Sequence, residues 1–323
     1  MKKTLAIILT LVLCLGALTV SAQGAPFRIG IAQFAVHGSL DNVRTGFLEG
    51  LKEAGFVEGD NITIDIQNAQ ADMGQARAIA SAFVDNRYDL ICAIATPMAV
   101  VSVNTADGKI PVVYSAVTSP VQAGLADENG ETDQNTTGTS DQPPIDRQLA
   151  LIRALQPEAK TVGLLYTVGE VNSQVLAQQY KNLAPQYGFT IVEATVTSGS
   201  EIALALPGIV KQADCLSMLL DNTVVQYLDL VLDAADGAGI PVYGSEVEQV
   251  AKGCAAAAGI DYIAVGRDTG RLAARILKGE AASALPYVTA TAADLYINSK
   301  TLARLNITVP DELALQVIDI SAK

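Results

Sequence analysis

The sequence contains no tryptophan, a single histidine (His37) and no C-x-x-C pair, and beyond Lys2-Lys3 its basic residues form no contiguous run. A zinc or haem site is not expected, because the closely spaced Cys and His ligands it uses are missing. Nucleic-acid binding needs grouped Lys and Arg against the phosphates, and a chain of formal net charge −13 offers no such surface. The acidity itself speaks to solubility and not to fold. Also missing are G-x-S-x-G, the P-loop and G-x-G-x-x-G. The first apolar run passes into Gln-Phe-Ala-Val-His where a dinucleotide-binding strand would enter a glycine-rich turn. A Ser-His-Asp triad would have to use His37, which sits in a short loop ahead of every plausible serine partner. The chain is therefore not expected to be an enzyme, and neither a cofactor nor a metal is expected.

Cysteine is scarce too. Of the four, Cys14 lies in the apolar leader, and Cys92, Cys215 and Cys254 remain after export. An odd count cannot pair fully within one chain. Cys92 and Cys215 lie in apolar runs, where a buried free thiol is the expected state. A Cys215–Cys254 bridge is the alternative.

What is present begins with that leader. Met1–Ala22 reads as an export signal, with Lys2 and Lys3 at its positive end, Leu5–Val20 as its apolar stretch and small residues for cleavage near Ala22. An uncleaved anchor helix competes with this reading, but the stretch is shorter than the ~20 residues a span needs. Leu13 is too bulky for the residue before a lipidated cysteine, so no lipid anchor is expected. The mature chain is expected to be exported and periplasmic. With 323 residues, half of them hydrophobic, it is long for one core, and two lobes are predicted.

The informative stretch is Leu90–Gly124. Leu90–Ala95 is an apolar run fit for a strand buried on both faces, and Thr96-Pro97 has the residues of a helix start, Thr as cap and Pro at the first position. Val112–Val117 is the next β-branched run and leads to Thr118 and Pro120. Around it, short apolar runs alternate with amphipathic helices. Predicted strands cover Arg28–Phe34, Ile62–Gln67, Thr161–Tyr166, Thr190–Val196, Asp214–Leu220, Pro241–Gly244, Ala255–Ile260 and Ala292–Ile297. Ser39 is expected to cap the first helix, Pro207 to interrupt one over Ser200–Gln212, and Thr223–Ala238 to be a single helix. Asn135–Pro144 (NTTGTSDQPP) reads as an extended crossover between lobes. The fold class predicted is α/β, with two doubly wound parallel-sheet lobes joined by a multi-crossover hinge.

In such sheets ligands bind beyond the carboxyl ends of the strands. The first half offers Gln33, Phe34, Thr96, Ser115 and Thr118 there; the second offers Asn172, Asp221, Asn222, Ser245, Glu246 and Asp261. Hydroxyls beside free helix N-terminal N–H groups suit a carboxylate, whereas facing carboxylates suit an ammonium. A small zwitterion would satisfy both lips, with Phe34 and Tyr114 as an apolar wall. Each residue also has a plainer role: Thr96 and Asp221 could merely cap helices, Asp141 and Asp261 could only hold crossovers, and Phe34 could be core.

Several segments, in order and spacing, resemble a known family: IGIAQF, LDNVRTGFLEGLKEAGFVEGDNITIDIQNAQAD, AIATPMA, VVYSAVTSPVQAGL, TGTSD, DNTVV, GIDYIAVGRDTGRLAARILKGE and YINSKTLARLNITVP. They resemble the substrate-binding proteins of ABC transporters, in the tryptophan/tyrosine-type branch with the type I periplasmic-binding-protein fold. The resemblance implies a non-catalytic monomeric receptor that closes two lobes over a small-molecule ligand, an amino acid with an aromatic one favoured, and presents it to an ABC permease of the inner membrane. It implies lobe 1 as residues 23–138 plus about 262–288, and lobe 2 as 139–261 plus about 289–323. Thr96, Ser115 and Thr118 would then hold the ligand's carboxylate, and Asp221 and Glu246 its ammonium, with Asn172 and Asn222 in support. Gly138, Thr139, Ser140, Asp141, Gly259 and Asp261 would form the hinge. Truncating Asp221 would weaken such a ligand by roughly 2–5 kcal/mol. A periplasmic ligand sensor docked on a membrane signalling partner is the alternative on the same fold.

Overall fold

The computed structural model describes residues 25–132, 134–290 and 293–321. The expected leader and Ala292 lie outside them. Five segments become parallel strands β1 (Phe27–Gln33), β2 (Ile62–Asn68), β3 (Leu90–Ile94), β4 (Val112–Ser115) and β5 (Thr136–Ser140), the last of them the hydroxyl-rich TTGTS. A two-residue strand far along the chain, Val288–Thr289, joins them beside β5, in spatial order Val288–Thr289, β5, β4, β3, β1, β2. All five residues of β3 are buried, as its position inside the sheet demands.

The second half repeats the arrangement with β6 (Thr161–Thr167), β7 (Thr190–Val196), β8 (Cys215–Ser217) and β9 (Val242–Tyr243), parallel in the order β7, β6, β8, β9. Alongside β9 runs β10 (Ala256–Ile260), tied to it by Gly244 N–H to the Ala256 carbonyl at 2.8 Å. With Val288–Thr289 as β11, strand β12 (Ala293–Ile297) pairs antiparallel to β10, and β13 (Val317–Asp319) pairs parallel to β12. The chain thus passes between the halves three times: between β5 and the helix after it, at Asp261, and between β11 and β12.

Helices fill the crossovers: α1 (Gly38–Glu53), α2 (Met73–Asp85), α3 (Thr96–Ala106), α4 (Ile145–Leu155), α5 (Val171–Leu183), α6 (Ile202–Ile209), α7 (Asn222–Val225), α8 (Leu228–Ala238), α9 (Val247–Lys252) and α10 (Tyr262–Leu277). The tightest helix contact joins α10 to α1. Gly46 and Gly50 on α1 face Gly266 and Gly270 on α10, each pair four residues apart and so on one helix face. A Cβ at Gly46 would fall 2.0 Å from the Ile263 carbonyl oxygen, and one at Gly266 2.0 Å from that of Val43. The two backbones touch, which fixes α10 on the first half although β10 before it belongs to the second.

Several local expectations need correction. Thr96 does not cap α3: the cap position is Ala95, held at φ +82°, and Thr96 is the first helical residue. Ser39 does not cap α1 either, since the cap position is His37, with no side-chain bond to the helix. Val112–Val117 ends as a strand at Ser115 because Ala116 turns left-handed, at φ +54°. Residues 223–238 break into α7 and α8 at Tyr227. Pro207 lies inside α6, which stops two residues later. The supposed crossover 135–144 contributes a true buried strand, β5, and the β11, β13 and α9 segments were not foreseen. Cys92, Cys215 and Cys254 are all free and buried, so the Cys215–Cys254 bridge is absent.

Candidate functional site

The carboxyl ends of both parallel sheets face one another across a cleft. At its floor is a cavity with about 290 Å³ of space between atoms, bounded on one side by Thr96, Ala116, Thr118 and Asp141 and on the other by Asn172, Asp221, Asn222 and Glu246. His37 and Tyr262 complete its polar lining. Outside it, a wider groove with about 890 Å³ of space between atoms, open to solvent, is bounded by Phe34, Met73 and Pro97 on one half and Thr167, Glu170 and Tyr227 on the other. None of the described residues lining either space is Lys or Arg.

The first half brings hydroxyls and strained turns. Ala95 and Ala116 hold left-handed backbone that alanine adopts only at a cost, and both lie where a strand ends at the cleft. These turns set the Thr96 hydroxyl 3.3 Å from the backbone N–H of Thr118, with both residues buried. The positive end of α3 begins at Thr96 and points the same way.

The second half brings acceptors, and most are already occupied. Asp221 accepts four hydrogen bonds: from Thr167 N–H (2.6 Å), the Thr167 hydroxyl (3.0 Å), the Ser173 hydroxyl (2.7 Å) and Val224 N–H (2.8 Å). It caps α7 and ties α7 to the end of β6. Asp221 is a helix cap, as its plainer reading has it, and its four bound donors leave its carboxylate little capacity for an ammonium. Glu170, which the sequence reading did not single out, accepts from Asn172 Nδ2, from Asn222 N–H and Nδ2, and from Thr223 N–H and Oγ1, at 2.7–3.0 Å. It locks the Asn172 and Asn222 amides in place.

Three buried side-chain atoms at the cavity are left without a protein partner: His37 Nδ1, Asp141 Oδ1 and Asn172 Oδ1. Burial lowers the His37 pKa to about 4, so the ring is neutral at pH 7. Its Nε2 then donates to Asn222 Oδ1, at 3.5 Å, and Nδ1 carries the lone pair. Asn172 Nδ2 donates to Glu170 and to the Leu220 carbonyl (2.6 Å), which fixes Oδ1 as the free end. Asp141 Oδ2 accepts from the Tyr262 phenol at 3.0 Å. All three unpartnered atoms are acceptors. Buried acceptors without donors are rare and costly in folded proteins, and their gathering at one cavity marks a place for a donor-rich ligand group.

Electrostatics agree with that reading. Burial pushes the Asp141 carboxyl up to about 6. Burial, then the Glu248 and Asp141 carboxylates, push Glu246 up to about 8. Burial and the neighbouring Asp221 push Glu170 up to about 7 against its five donors. The site is short of positive charge.

The other expected residues are placed as follows. Thr96, Thr118, Asn172, Asn222 and Glu246 border the cavity, and Phe34 borders the groove. Gln33 does neither: its amide donates to the Ala35 carbonyl and Asp41 and accepts from Arg44. Ser115 turns away to bond Thr139 and Thr269, 3.2 and 2.6 Å off, where three hydroxyls join β4, β5 and α10. Ser245 is engaged by Gln249, and Tyr114 lies in the core beneath Gly138, where a Cβ would fall 2.1 Å from the Tyr114 carbonyl. Ser140 holds the Thr118 carbonyl at 3.1 Å. Asp261 caps α10 through Ile263 and Ala264 N–H, and Gly259 lies in β10 opposite Asp294. Asp141, taken as hinge alone, also reaches the cavity.

A family model described as ABC transporter substrate binding protein matches residues 28–319. The chain belongs to the ABC transporter substrate-binding proteins. This substrate-binding protein is 38% identical over 279 residues to the tyrosine-binding protein of Clostridioides difficile (strain R20291), covering 86% of this chain and 81% of that one. Among solved structures it is similar to an ABC domain in complex with L-Trp from Streptococcus pneumonia, with TM-score 0.88, 31% identity, and 91% of this chain and 100% of that one covered. It is also similar to the ligand-free, open structure of a substrate binding protein with adhesive properties from Clostridium difficile, with TM-score 0.68, 37% identity and coverage of 91% and 99%. The open structure is nearer in sequence yet superposes less well over the same share of this chain. As a whole, this binding protein superposes better on the L-Trp complex than on the open form.

Proposed function

We propose that this substrate-binding protein takes an L-amino acid, aromatic ones favoured, in the cavity between its halves and delivers it to an ABC permease of the inner membrane. The observation that carries the reading is the set of three unpartnered acceptors. An ammonium presents three N–H donors, and His37 Nδ1, Asp141 Oδ1 and Asn172 Oδ1 offer it three lone pairs. Asp141 supplies the opposite charge, and Glu246, pushed up to about 8, stands beside it as a neutral carboxyl. The ligand's carboxylate turns toward Thr96, Thr118 and the start of α3, and its side chain toward the groove of Phe34, Pro97, Met73 and Tyr227. The relatives whose names state tyrosine and L-Trp support the aromatic choice.

On this reading lobe 1 comprises residues 27–140 and 262–289 and lobe 2 residues 145–260 and 293–320, with the hinge at the three passages between them. The protein works as an exported monomer, cleaved near Ala22, and ligand contacts from both lobes favour the closed form. A thermal-shift screen of ligand-stripped protein against the amino acids tests it, since a ligand of the native state alone raises stability by RT ln(1 + [L]/Kd). Tyrosine and tryptophan should give the largest shifts. Shifts confined to sugars or to organic acids without an amine would overturn the ammonium assignment.

A further inference from the structure

Helix α1 starts without a cap of its own. His37, at the cap position, makes no side-chain bond to the helix, and the first turn faces the opposite half. Glu248, on α9 of that half, reaches across to the side chains at this end. Its two carboxylate oxygens accept from the Ser39 hydroxyl at 3.0 Å and from Asn42 Nδ2 at 2.6 Å, contacts spanning 209 and 206 residues of sequence. The carboxylate thus sits near the positive end of a 16-residue helix and takes two side-chain donors from its first two turns. Its approach depends on Gly38, where a Cβ would stand 3.0 Å from Glu248 Cγ and 3.3 Å from its Cβ. Glu248 does not line the cavity or the groove.

We propose that Glu248 is an interlobe latch, a positioning residue that holds the Ser39 and Asn42 side chains of α1 only when the lobes are closed and so sets how long the ligand is held without touching it. The proposal rests on the binding reading above for its ligand but not for its geometry. In the open form the carboxylate and the two donors return to water, so the contact adds to the closed state alone and shifts the open–closed equilibrium by its net strength. Gly38 is the matching element on lobe 1, since a methyl there would press on the Glu248 side chain and displace it from its two donors by a few tenths of an ångström.

The test compares wild type, Glu248→Ala, Glu248→Gln and Gly38→Ala. Two readouts are taken: the dissociation rate of L-tryptophan, followed by its own fluorescence in a protein with no tryptophan, and the small-angle scattering of the ligand-free proteins. Glu248→Ala should release the amino acid roughly tenfold faster or more, as expected for loss of two charge-assisted hydrogen bonds. Glu248→Gln, which keeps one acceptor and no charge, should fall between, and Gly38→Ala should follow Glu248→Ala. The unfolding midpoint of the ligand-free protein should hold, which separates a latch from a folding defect. Equal dissociation rates and equal scattering profiles for wild type and Glu248→Ala overturn the latch. Should wild type bind neither L-tryptophan nor L-tyrosine, the ligand assignment fails and scattering alone decides: a more open Glu248→Ala supports the latch, and identical profiles overturn it.

Discussion

The clearest separation of binding from folding lies in two aspartates that the sequence cannot tell apart. Asp141 and Asp221 both follow a strand and both border the cavity. Asp141→Asn keeps shape and keeps the bond from the Tyr262 phenol, because the amide oxygen accepts it as Oδ2 did. It replaces the unpartnered Oδ1 by an NH2 whose donors face the ligand's ammonium. Breaking one side of a buried charge pair in this way should weaken L-tyrosine by about 2–5 kcal/mol, or roughly thirtyfold to several thousandfold. Ligand-free stability should hold or rise slightly, since a buried carboxylate without a cation has been removed. Asp221→Asn should do the reverse. Its four donors, two of them backbone N–H groups, meet one acceptor oxygen where there were two. At least one buried donor is orphaned, at a cost of about 1–3 kcal/mol in unfolding free energy. Calorimetric titration with L-tyrosine and urea unfolding of each variant give both quantities. Wild-type affinity in Asp141→Asn, or lost affinity with unchanged unfolding in Asp221→Asn, would refute the reasoning.

Three further outcomes are expected. Gly266→Ala drives a methyl into the Val43 carbonyl and should force α1 and α10 apart, destabilising lobe 1 by about 3 kcal/mol or more in urea unfolding, overpacking at its severe end. Glu246 and Glu170, raised to about 8 and about 7, stay protonated in the folded state where the unfolded chain has released those protons, so stability should fall as pH rises toward 8. His37, lowered to about 4, works oppositely between about pH 4 and 6.5, where only the unfolded chain holds its proton. The clean window is therefore pH 6.5–8, over which ligand-free protein should lose up to about 2 kcal/mol, a slope that Glu246→Gln should flatten. Finally, Cys92, Cys215 and Cys254 are buried with pKa values pushed well up by burial, so none should react with a thiol reagent until the protein unfolds.

What the sequence made legible is the scaffold and the lip facing it. Buried strands such as LICAI carry their own signal, because a strand covered on both faces must be apolar throughout. Thr96 and Thr118 were found because strand ends in parallel sheets are where ligands sit. The acceptors were harder. An aspartate after a strand looks the same whether its oxygens are spent on four donors, as in Asp221, or left partly free, as in Asp141. That difference depends on Thr167 and Ser173, some 50 residues away in sequence. His37 was weighed as a metal ligand or catalytic base and not as a neutral acceptor, a role that follows only from its burial beside Asn222. Glu170 gave no local signal, since its partners come from two separate turns. The spacing Gly46-x-x-x-Gly50 and Gly266-x-x-x-Gly270 was visible as residues, but only pairing the helices gives it meaning.

The central claim is that the cavity reads a zwitterion through both of its charged groups. Isothermal titration with L-tyrosine, with tyramine and with 3-(4-hydroxyphenyl)propanoate tests it in one experiment, since each analogue lacks one group and keeps the ring. Tight binding of L-tyrosine with marked loss for both analogues is the predicted result. Binding of the propanoate as tightly as the amino acid would contradict the roles given to His37, Asp141 and Asn172, and with them the account of the site.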